Sequence, residues 1–220
     1  MQELYTESQT TESGSLEISK ILRNTYTLLA LCFAFSAVTA GVAAAVGAPN
    51  LGLLMLVPYF ICLWMVEKTK NSAMGLFWVF ALTGWLGFSI GPMLSFVVAT
   101  AGYEPILLSL GGTAAIFFGL SGYVLTTRKD LSFMGGFLCV GILVAFIAAI
   151  ANFFLNIQGM ALAVSCMFLL LSSGVIAWYT SVIIHGGETN YISATVMLFV
   201  AIYNVFTSLL HLILAFTGDD

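Results

Sequence analysis

Residues 132–157 read SFMGGFLCVGILVAFIAAIANFFLNI, a stretch without one charged side chain that begins directly after Arg128-Lys129-Asp130 and Leu131. A helix crossing the hydrocarbon core of a bilayer needs about 20 mostly apolar residues, so this run can span on its own. Working outward, six further runs have the same character, at about 25–47, 51–66, 73–99, 106–126, 160–184 and 192–216. The second is short, carries Pro58 and is expected to extend toward Glu67. The third is long and contains Gly91-Pro92, which predicts a kink or an early end because proline removes a backbone donor.

The charges agree with seven spans. Between Thr25 and Phe216 the charged residues are Glu67, Lys68, Lys70, Glu104, Arg128, Lys129, Asp130 and Glu188, all of them between the runs. A charge at a helix centre costs about 2.5–3.5 kcal/mol on insertion scales, so real spans exclude it. Composition points the same way: 60% of the 220 residues are hydrophobic and 7% are charged. A soluble domain carries roughly a quarter charged residues, whereas a lipid-facing surface accommodates an apolar exterior. The expected architecture is all-α, a polytopic bundle of seven transmembrane helices over residues 21–220, with the lipid bilayer as its surroundings.

Orientation follows from Lys and Arg. Lys20 and Arg23 precede the first run, Lys68 and Lys70 lie between the second and third, and Arg128 and Lys129 lie between the fourth and fifth. The alternate loops, around Ala48-Pro49-Asn50, Gly102-Tyr103-Glu104 and Asn156-Ile157-Gln158, hold no basic residue. The positive-inside rule therefore predicts a cytoplasmic N-terminus and, after seven spans, a C-terminus at Gly218-Asp219-Asp220 on the periplasmic side of a bacterial inner membrane. Residues 1–20 have no hydrophobic periodicity, are rich in Thr, Ser, Glu and Gln, and hold Glu3, Glu7, Glu12 and Glu17. They read as a flexible acidic cytoplasmic tail, a handle for a partner or a plain solvated leader. The polar, acidic opening is not that of a cleavable signal peptide. Six Lys and Arg form no extended basic surface, which argues against nucleic acid.

Candidate functional residues are few. Small residues recur every four positions at Thr83, Gly87 and Gly91, and at Ala115 and Gly119, a spacing that lets helices approach closely. Packing is the expected role; a flexible gate at Gly91-Pro92 is the alternative. Within the runs no Asp, Glu, Lys or Arg occurs, and the polar residues that could line a path are Asn152, Asn204, His211 and tyrosines such as Tyr179. The loop His185-Gly-Gly-Glu-Thr-Asn-Tyr191 suits turn formation, with the glycines ending one helix and Thr189 or Asn190 capping the next. Two ligands, His185 and Glu188, make a weak metal site. The four cysteines all fall in apolar runs without a C-x-x-C pair and read as small hydrophobes. With two histidines and neither H-E-x-x-H nor G-x-S-x-G, no catalytic constellation, cofactor motif or metal set is indicated.

Long motifs carry a resemblance. They are Leu22-Arg-Asn-Thr-Tyr26, Gly84-Trp-Leu-Gly87 leading to Gly91-Pro-Met-Leu94, Leu110-Gly-Gly-Thr113, Tyr123-Val-Leu-Thr-Thr-Arg-Lys-Asp130 and Ile184-His-Gly-Gly-Glu-Thr-Asn-Tyr-Ile192. With these the chain resembles the Bax inhibitor family of seven-helix membrane proteins nearly end to end. The resemblance implies a bundle whose last helix is central and surrounded by the other six. It also implies a non-enzymatic partner of the membrane-anchored AAA protease FtsH and its accessory membrane proteins, both modulating that protease and serving as its substrate. The tail at Met1–Ser19 would then be the end the protease grips. Other relatives act as pH-sensitive calcium leaks through paired aspartates, whose equivalent positions here are Tyr179 and Ala201. A tyrosine and an alanine cannot share a proton or hold a divalent ion as two carboxylates do, which counts against that chemistry.

Overall fold

The computed structural model describes the backbone of residues 2–157 and 159–217, with side chains from residue 16 onward. Seven helices follow one another: α1 (Gln2–Ala45), α2 (Leu56–Thr69), α3 (Ala73–Ala101), α4 (Glu104–Thr127), α5 (Met134–Leu155), α6 (Met160–Ile184) and α7 (Tyr191–Thr217). A 3-10 turn at Gly52–Met55 precedes α2 and brings its apolar length to Gly52–Thr69, so the short second run does extend past Glu67. All seven helices are long and apolar enough to cross a membrane, and no strand occurs among the described residues. The protein is a multi-pass membrane protein.

The helix ends are set locally. α4 starts with Glu104 and Pro105 in its first turn, where a negative charge meets the dipole and proline loses no hydrogen bond. Arg128 and Asn156 turn α4 and α5 off in the left-handed region, at φ 50° and 51°, while Gly186 does the same for α6 at φ 75°. α3 passes through Pro92 and ends only at Ala101, so the early end expected at Gly91-Pro92 does not occur. The helix carries on because neighbouring helices support a backbone that has lost one hydrogen bond.

The acidic leader also departs from expectation. Composition predicts an irregular tail up to residue 20, whereas α1 is helical from Gln2. Residues 2–20 hold no proline to interrupt a helix. Glu17 is exposed; the side chains of Glu3, Glu7 and Glu12 and the terminal Gly218-Asp219-Asp220 lie outside the described residues.

α7 is the hub. It packs against α6, α4, α1, α3 and α2, and Leu198, Phe199, Val205 and Leu210 on it are fully buried. α5, in contrast, joins the bundle chiefly through α6, so α7 is not ringed by six helices. The reason lies in α5's surface: Phe137, Val140, Leu143 and Ile147 are exposed, a row suited to lipid. The closest helix pairing is α1 with α3. A Cβ on Gly87 would sit 2.2 Å from the Ser36 carbonyl oxygen, and one on Gly91 would sit 2.4 Å from the Ala43 Cβ. These glycines are where the two backbones meet. The alternating topology gathers the α2–α3, α4–α5 and α6–α7 loops at one end with the α1 basic residues, hereafter the basic end.

Candidate functional site

At the basic end the α6–α7 loop is tied down on every side. Gly187 N–H donates to the Val182 carbonyl at 2.9 Å, closing α6 with the paired glycines. Asn190 caps α7: its Oδ1 accepts from the backbone N–H groups of Ile192 at 2.9 Å and Ser193 at 3.2 Å. Its Nδ2 reaches across to the α2–α3 loop, donating to the Lys70 carbonyl at 3.0 Å and to Asn71 Oδ1 at 2.8 Å. One side chain thus ends a helix and clamps two loops separated by about half of the sequence.

Glu188 completes the loop. The Tyr179 hydroxyl donates to Glu188 Oε2 at 2.6 Å, and the Asn190 N–H donates to Oε1 at 2.8 Å. On the other flank, Ser181 Oγ donates to the Lys129 carbonyl at 2.9 Å and accepts from the Leu131 N–H at 3.0 Å. His185 Nδ1–H donates to the Ser181 carbonyl at 2.8 Å, the carbonyl being able only to accept. Three loops are therefore fastened through α6 and the α6–α7 loop. His185 and Glu188 have separate partners, and among the described residues no three His, Cys, Asp or Glu side chains gather to hold a metal ion.

Charges at this end are locally neutralised. Glu67 and Lys70 form the one ion pair among the described residues, and the hydrogen bond to Glu67 raises the Lys70 ammonium above its usual value, helped by the fields of Glu67 and Glu188. Asp130 accepts from Ser132 Oγ at 2.5 Å and from its N–H at 2.9 Å, bonds that hold its carboxyl below the usual carboxylate range. The hydrogen bond to Tyr123 raises the Lys129 ammonium.

The residues singled out from the sequence do not converge. Tyr179 and Ala201 are both buried, but they lie about 8 and 15 Å along α6 and α7 from the basic end, at 1.5 Å per residue. Asn204 is half-buried farther along α7, and Asn152 sits in the last turn of α5 at the opposite end, its Oδ1 buried without a partner. Gly91 is packed under α1 and Pro92 beside it is half-buried. A cavity of about 740 Å³ lies elsewhere, between α1, α4 and α7, with an almost wholly apolar lining. Reading the sequence missed the Tyr179–Glu188 and Asn190–Asn71 contacts. The capping signal at Asn190 was visible, but its second role depends on which loop lies opposite.

The fold and this site define a class: a seven-helix membrane protein with hydrogen-bonded loop clamps at one end. The sequence model of the family described as "Inhibitor of apoptosis-promoting Bax1" matches residues 18–218. The chain is 48% identical over 206 residues to the Escherichia coli protein named "Modulator of FtsH protease YccA", covering 93% of this chain and 94% of that one. It is 43% identical over 222 aligned positions to an uncharacterized protein of Pseudomonas aeruginosa, the whole of both chains being covered. An uncharacterized membrane protein of Vibrio cholerae is 40% identical over 210 residues, with 94% of each chain covered. The chain belongs to the Bax inhibitor family.

Proposed function

We propose that the protein is a non-enzymatic component of the bacterial inner membrane that binds and restrains the protease FtsH, and is itself a substrate of it. The observation carrying this reading is the end-to-end 48% identity to a relative named for modulating that protease. The build of the molecule supports it: the interior lacks a charged pair, and the loops at the basic end form a braced surface. In this reading the basic end faces the cytoplasm, as the distribution of Lys and Arg requires. The leader carrying Glu3, Glu7, Glu12 and Glu17 is the segment the protease grips. A leader rich in Ser and Thr is a weak helix former, so an unfolding motor can melt it from the free end.

The test is co-purification of the full chain with FtsH from membranes, beside a chain lacking residues 2–15, with degradation followed over time. Complex formation by both and slower degradation of the shortened chain are the expected results. Absence of a complex with either chain overturns the partner assignment; equal degradation rates overturn the role of the leader alone.

A second reading, a pH-sensitive calcium leak, has one observation in its favour. The loop carboxylate of Glu188 is brought to Tyr179, one of the two positions equivalent to the paired aspartates. Ala201 supplies no second carboxylate, and a single one is a poor divalent site. Calcium flux into proteoliposomes across a pH range separates the readings: flux no higher than in empty liposomes removes the leak.

A further inference from the structure

α1 and α4 pack on α7 from two sides without closing on each other. The gap between them is the apolar cavity of about 740 Å³, open on one side. Ala30, Ala37 and Gly41 on α1 and Ala114 on α4 leave room between larger apolar side chains such as Phe117, and Phe199 of α7 is also on its lining. Ala30, Ala37, Gly41 and Ala114 are exposed along it, so the opening lies on the outer, lipid-facing side of these spanning helices. From Tyr26 to Gly41 the groove follows α1 for about 22 Å at 1.5 Å per residue.

That shape selects among occupants. One leaflet's acyl chain covers about 15 Å, half of a hydrocarbon core about 30 Å thick, and so fits the length. The volume lies within the roughly 300–1,000 Å³ of small-molecule sites.

The end of the groove supplies the polar complement. Tyr26 lies on its lining, its ring 5.9 Å from that of Phe117, and its hydroxyl is buried without a hydrogen-bond partner. One turn further toward the basic end, Arg23 continues the stripe of Ala30 and Ala37, since seven and fourteen residues bring a helix back to nearly the same face. Arg23 and the flanking Lys20 are exposed, and neither enters an ion pair among the described residues. Glu17 falls on the other side of α1 by the same count.

We propose that this groove binds one acyl chain of an anionic phospholipid from the leaflet at the basic end. The headgroup phosphate rests against Arg23 and Lys20. The site is independent of the protease reading, since it uses the lipid-facing flank between α1 and α4 and not the loop clamps.

Native mass spectrometry of the purified full chain, offered phosphatidylglycerol or phosphatidylcholine, tests the site. The expected result is preferential retention of phosphatidylglycerol. Removing charge with Lys20→Gln and Arg23→Gln weakens that preference on the order of fivefold per charge. Filling the groove with Ala37→Phe and Ala114→Phe lowers retention of both lipids. Both positions face open space, and near-UV circular dichroism checks that the variant remains folded. Wild-type retention by the filled variant, or equal retention of the two lipids by the native chain, overturns the proposal. In membranes, a photo-crosslinking amino acid at Ala114 is expected to capture phospholipid. Capture of a polypeptide there in its place makes the groove a helix-docking site and overturns it as well.

Discussion

Single atoms decide several properties of this protein. Gly87 has no room for a methyl group against the Ser36 carbonyl, so Gly87→Ala is expected to destabilise the bundle by about 1–3 kcal/mol. Gly111 faces open space, and Gly111→Ala is expected to be neutral or stabilising by up to about 1 kcal/mol. Thermal unfolding in detergent, with both variants side by side, checks the contrast; equal melting points would contradict the close α1–α3 approach. At the loop clamp, Tyr179→Phe removes the donor to Glu188 and is expected to cost about 1–2 kcal/mol. A double-mutant cycle with Glu188→Gln isolates that coupling. Asp130 supplies the pH dependence. Its carboxyl is held below its unfolded value of 3.8, so its contribution to stability is present above that value and lost as pH falls through the lower folded value. The melting-point difference between native chain and Asp130→Asn should therefore shrink on acidification below about pH 4.

At the scale of elements, α3 and α1 are the informative helices. α3 runs unbroken through Pro92, where one intrahelical hydrogen bond is missing. Pro92→Ala restores that donor and is expected to raise stability, by up to about 3 kcal/mol if the helix needs no other adjustment. The same variant separates two roles. A packing role leaves FtsH association unchanged, whereas a hinge role lowers function as stability rises. The Gly91-Pro92 pair was legible as a special position, but the sequence could not reveal that α1 lies on it. α1 is the contrasting case: polar composition suggested an irregular leader, whereas α1 is helical back to Gln2.

For the whole molecule, topology and hub are the consequences that can be measured. With all six basic residues at one end, alkaline phosphatase fused after Asp220 should be active outside the cytoplasm, and the same enzyme fused after Lys129 inactive. The reverse pattern would invert the bundle and place the braced loops beyond the reach of a cytoplasmic motor. The hub position of α7 goes with small or tightly packed interior residues: Ala194 and Ala201 are buried, and Phe199 stacks with Tyr203 at 6.5 Å. α5, held mainly by α6, offers most of its surface to lipid.

Seven spans, their limits within a few residues except at the start of α1, and the gathering of positive charge were readable from one dimension. Insertion into a bilayer is governed by local apolar length and by where charges lie, both properties of contiguous residues. Asn190 as a helix cap was readable for the same reason. The meeting of Asn190 with Asn71, of Ser181 with Lys129 and of Gly87 with Ser36 was not. In lipid no hydrophobic gain chooses one helix face over another, so partners are chosen by close packing and by the need of each buried polar group for a mate. Those terms take values only when all seven helices are in place, and the tertiary structure alone therefore decided the loop clamps, the position of α5 and the groove between α1 and α4.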